Sequence, residues 1–84
     1  MSPSVIDTVI VVISEQTNKP ATIDSRLIDE LGCDSLDCVS ICQGIEEELS
    51  LPFELDYDSA TMTTVGDVAN VVQDRLNKAQ AAAQ

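Results

Sequence analysis

The sequence predicts an all-α domain, a small four-helix bundle of three main helices and a short third one, with a long loop between helices one and two. Three observations predict it. Apolar residues recur at helical spacing in three separated segments, and no stretch shows the alternation of a half-buried strand. The chain is 84 residues long and 44% hydrophobic, enough for one packed core and too short for a second domain. Residues 1–84 are therefore read as one domain.

Val5, Ile6, Val9, Ile10, Val12 and Ile13 place most of their bulk on one side of a 3.6-residue repeat, with Asp7, Ser14 and Glu15 opposite. Ser2-Pro3 offers a cap and first-turn pair, although the β-branched run from Val9 to Ile13 would also suit a buried strand. From Gln16 to Asp34 the periodicity fails and Lys19-Pro20 breaks any helix. Ile23, Leu27, Ile28 and Leu31 look like anchors pinning this long connection to the core. Gly32 permits a tight turn and Asp34 can cap the helix after it.

Ser35 to Leu49 is the clearest helix, with Cys38, Ile41, Cys42, Ile45 and Leu49 within one arc and Pro52 as its stop. Leu51 to Met62 is irregular. Phe53, Leu55, Tyr57, Ala60 and Met62 are available to the core, and Asp58 to Thr61 has room for the short helix. Thr64-Val65-Gly66-Asp67 is a loose capping box, opening a last helix whose Val65, Val68, Ala69, Val72 and Leu76 share a face. The tail 78–84 has no large apolar residue and is expected to fray.

Four Lys+Arg stand against 15 Asp+Glu, a net charge of −11, so nucleic acid and stable membrane insertion are excluded as partners. No apolar run approaches the ~18 residues of a membrane span, and the N-terminus has no signal-peptide pattern, so a cytoplasmic monomer is expected. Cys33, Cys38 and Cys42, an odd number in one segment, make no disulfide framework and suit a reducing compartment. Without histidine or a fourth cysteine they also make a poor metal site, so no metal is expected. Cys38 and Cys42 read as small core residues, and Cys33 as the accessible, oxidisable one. Asp56 to Asp67 lacks the glycine and the closing glutamate of a calcium loop. The absence of histidine also leaves Ser35 without the usual base of a serine nucleophile, so no catalytic residue is expected.

Leu31-Gly32-Cys33-Asp34-Ser35-Leu36-Asp37 resembles the signature of acyl carrier proteins, whose Asp-Ser-Leu motif carries a prosthetic group on the serine. Alone the tripeptide is an ordinary helix cap. Glu46-Glu47-Glu48 further down the helix and Met62-Thr63-Thr64-Val65-Gly66-Asp67 before the last one extend the resemblance from the first helix to Leu76. The resemblance implies a carrier rather than an enzyme. It implies 4′-phosphopantetheine on Ser35, donated from coenzyme A by a phosphopantetheinyl transferase, and thioester-linked acyl groups delivered to synthases, ligases and transferases of fatty acid or related lipid or polyketide synthesis.

Between Leu27 and Asp74 there is no Lys or Arg, so basic docking patches on those partners are expected. Asp34, Asp37, Glu46 and Glu47 share the helix that carries Ser35 and are the expected charged contacts, with Leu36 and Val39 as the apolar ones. Ser40 and Gln43 depart from the acid and the apolar residue usual in carriers of fatty-acid synthesis, which keeps a specialised polyketide or peptidyl carrier open. A different class of function is an unmodified acidic adaptor that binds a basic protein through the same surface.

Overall fold

The chain's computed structural model describes residues 4–82. Among these it is all-helical, with three helices and no strand: α1 (Val5–Thr17), α2 (Ser35–Leu49) and α3 (Val65–Ala82). Both α2 and α3 pack on α1.

Helical phase resolves the ambiguity of the β-branched run in α1. Val9, Val12 and Ile13 are buried while Val11 is 52% exposed, a split that a two-residue repeat would not produce. The expected Ser2-Pro3 cap lies outside the described residues, and Ser4 is an N-cap, its side chain accepting from the Asp7 amide at 3.2 Å. Asn18, in the left-handed region at φ 56°, closes the helix.

In α2, Cys38, Ile41, Cys42 and Ile45 are buried as the spacing predicts, and Leu49 packs at the core's edge. The helix ends before Pro52 acts. Ser50 turns left-handed at φ 48°, and its amide donates back to the Glu46 and Glu47 carbonyls. The box at the start of α3 is complete: Thr64 Oγ1 accepts from the Asp67 amide at 3.1 Å, and Asp67 Oδ2 accepts from Thr64 N at 3.0 Å. α3 continues through Lys78 to Ala82, over most of the stretch where fraying is expected; residues 83–84 lie outside the described residues.

Residues 18–34 connect α1 to α2 and are stitched onto the head of α3. Leu27 N donates to Thr63 O at 3.1 Å, Val65 N to Ser25 O at 2.9 Å and Gly66 N to Ile23 O at 2.8 Å. Leu27 and Leu31 are core residues, but Ile23 and Ile28, expected as anchors, are 45% and 54% exposed. The turn closed by the Glu30 and Leu31 amides on Arg26 O aims positions 27 and 31 inward and Ile28 outward.

Three helices stand among the described residues where four are expected. Asp58 to Met62 forms a single turn, with the Thr61 and Met62 amides donating to Asp58 O at 3.1 and 2.8 Å. Leu55 and Met62 from this connection are buried, Phe53 and Tyr57 partly so, and Ala60 is exposed.

Candidate functional site

The head of α2 is assembled from three directions. Gly32 takes φ +70°, which an L side chain adopts at a cost, and so turns the chain toward the helix. Lys19 Nζ donates to the Leu31 carbonyl at 3.4 Å from the α1 side, and Cys33 N donates to Leu27 O at 2.9 Å. Asp34 then caps α2 in a reciprocal box: its Oδ1 accepts from the Asp37 amide at 2.8 Å, and Asp37 Oδ2 accepts from the Asp34 amide at 3.3 Å.

Ser35 is the first residue of the helix and is exposed. With the Asp34, Asp37 and Cys38 amides engaged, the Ser35 and Leu36 amides are left without a hydrogen-bond partner among the described residues. They lie at the positive end of the helix dipole, where an anionic oxygen is favoured.

Leu36 is 78% exposed and Val39 43%, one helical turn apart on the outer face. Asp34, Asp37 and Glu47 are exposed, and Glu46 is half-buried. Ser40 and Gln43 are exposed with them. Val39, Gln43 and Glu46 line one wall of a groove of about 410 Å³, and residues 54–57 form the other. Neither of the two ion pairs among the described residues, Arg26–Asp29 and Lys78–Asp74, includes a carboxylate of this face.

Behind the face sit the three thiols. Cys33, expected to be accessible, is 4% exposed, because the turn that hydrogen-bonds its amide to Leu27 O tucks the side chain into the core. Cys38 and Cys42 are buried beside it, and all three are free. Burial pushes each thiol up, with neighbouring carboxylates adding to the effect, and Cys42 is pushed up to about 11. No group of three or more His, Cys, Asp or Glu among the described residues is arranged to hold a metal.

Sequence reasoning misses the side chains that brace the site from elsewhere. Lys19 reaches the Leu31 carbonyl, and Gln16 Nε2 donates to Ser40 O at 3.0 Å. The break at Lys19-Pro20 signals only that α1 has ended; it does not say which carbonyl the lysine reaches.

Among the described residues no helix is long and apolar enough to cross a membrane. No protein-family model matches the chain. Sequence comparison finds curated relatives. The chain is 40% identical over 57 residues to the acyl carrier protein of Clostridium perfringens, covering 68% of this chain and 74% of that protein. It is 35% identical over 65 residues to that of Clostridium acetobutylicum, covering 74% and 83%. For that of Thermotoga maritima the identity is 36% over 55 residues, covering 66% and 67%. Kinship of this extent, reached independently of the helix geometry, places the chain in the acyl carrier protein family.

Proposed function

We propose that the protein carries acyl groups as thioesters on a 4′-phosphopantetheine arm attached to Ser35 Oγ and delivers them to the enzymes of fatty acid or related lipid or polyketide synthesis. The observation that carries the reading is the exposed serine at the first position of α2, beside two amides with no partner among the described residues. The residues present fit the group. The Ser35 and Leu36 amides and the positive helix end would favour a phosphodiester on Ser35, a contribution of about 0.3–1 kcal/mol at an exposed site. The adjacent Asp34 and Asp37 carboxylates oppose it, although each already accepts an amide proton. When attached, the arm would supply a terminal thiol that holds the acyl group as a thioester.

Leu36 and Val39 make the apolar contacts with partner enzymes, while Asp34, Asp37, Glu46 and Glu47 meet basic patches on the phosphopantetheinyl transferase and on acyl synthases, ligases and transferases. Carboxylates in no ion pair among the described residues suit such partners, and steering by them accelerates encounter more than it tightens binding. Ser40 and Gln43 are exposed with them, and these two departures from the common pattern support the alternative of a specialised polyketide or peptidyl carrier. We assign the turn at Asp58–Met62 the place of the bundle's short third helix.

Incubation with coenzyme A and a broad-specificity transferase tests the reading. Intact mass should rise by one phosphopantetheine in the wild type and stay constant in Ser35→Ala. A wild-type mass that never changes, with binding to a basic protein lost in Leu36→Asp, would establish the unmodified adaptor that the same exposed apolar patch also suits.

A further inference from the structure

We propose that Cys33 and Cys38 are a redox-active pair, and that oxidation by a small-molecule disulfide joins their Sγ atoms across the first turn of α2. With Asp34 as the N-cap, Cys33 stands at the position before the cap and Cys38 at the fourth helical position. Those positions form the hydrophobic staple, in which two side chains meet over the outside of the first turn and fix the angle at which the chain enters the helix. Apolar residues there make an inert contact; in this chain both are free thiols, 4% and 1% exposed, in one core cluster.

Cys42 is a poorer partner for Cys38. The two stand on one helix with parallel Cα–Cβ vectors, whereas Cys33 enters from the loop before the cap. In the first step the Cys33 thiol loses its proton to solvent and attacks one sulfur of the oxidant, expelling a thiolate and leaving a mixed disulfide. The Cys38 thiol then loses its proton to solvent, its thiolate attacks the Cys33 sulfur and expels the second small-molecule thiolate, and both expelled thiolates take up protons from solvent. Two protein S–H bonds and one small-molecule S–S bond thus become one protein S–S bond and two small-molecule thiols. The reaction is slow at neutral pH, because burial, Asp34 and Asp37 disfavour both thiolates while Lys19 favours that of Cys33 and Tyr57 that of Cys38. The bridge closes a ring around Ser35 and does not depend on that serine being modified.

Oxidised glutathione is the probe, followed by denaturation, alkylation and peptide mapping. In the wild type, Cys33 and Cys38 should become refractory to alkylation until a reductant is added, while Cys42 still reacts, and the rate should increase as pH is raised. Cys42→Ser should behave the same way, and Cys33→Ser should form no internal bridge. Three alkylatable thiols after oxidation, a mixed disulfide that goes no further, or a bridge that includes Cys42 would each overturn the proposal.

Discussion

Cys42 gives the residue scale its sharpest test. Its thiol ionises at 9.0 when unperturbed and at about 11 in the fold, chiefly through burial and secondarily through Cys38, Glu46 and Asp56. As pH rises through that window the unfolded chain releases the proton first, so the unfolded state binds fewer protons and stability falls. The contribution is intact below 9.0 and is lost by about 11. Thermal melts should therefore show Tm dropping across this range, less steeply in Cys42→Ala; parallel slopes would place the titration elsewhere. Ser35 is the opposite kind of residue. It is exposed and contributes no core contact, so Ser35→Ala should leave stability within about 0.5 kcal/mol of wild type while abolishing modification, which separates function from folding in one variant.

At the scale of the element, the helix heads matter more than the helix interiors. Replacing Asp67 by Ala removes the acceptor for the Thr63 and Thr64 amides and should cost about 1 kcal/mol in denaturant melts. Gly66 beside it is buried against the long connection: a Cβ there would stand 2.8 Å from Ile23 Cγ1 and 3.1 Å from the Ile23 carbonyl. That carbonyl is held by the Gly66 amide and cannot retreat, so Gly66→Ala should destabilise by about 1–3 kcal/mol despite alanine's better helix propensity. A stabilised variant would mean that the connection yields. The end of α3 should behave differently. Lys78 to Ala82 is helical with no large apolar side chain to hold it, so hydrogen exchange there should be much faster than at Val68 or Val72.

For the whole molecule, a net charge of −11 on one small bundle sets the electrostatics. Only two ion pairs, both on exposed side chains, offset it among the described residues, so added salt or magnesium should raise Tm at neutral pH by screening the carboxylates. A Tm indifferent to salt would show that the acids lie too far apart to repel effectively.

Periodicity and cap chemistry are written in consecutive residues, so three helical segments, the buried arc of α2, the cap at Asp34 and the capping box at Thr64 were legible there, whereas the choice between helix and strand for Val9 to Ile13 was not. Packing settled which side of the long connection faces inward. It exposed Ile28 and buried Cys33, because their directions follow from hydrogen bonds to Arg26 and Leu27 carbonyls that no spacing rule encodes. It likewise joined Lys19 to Leu31 and Gly66 to Ile23, contacts between segments far apart in the chain. Local pattern reports the conformation of a segment, whereas the neighbours of a side chain depend on how separate segments pack.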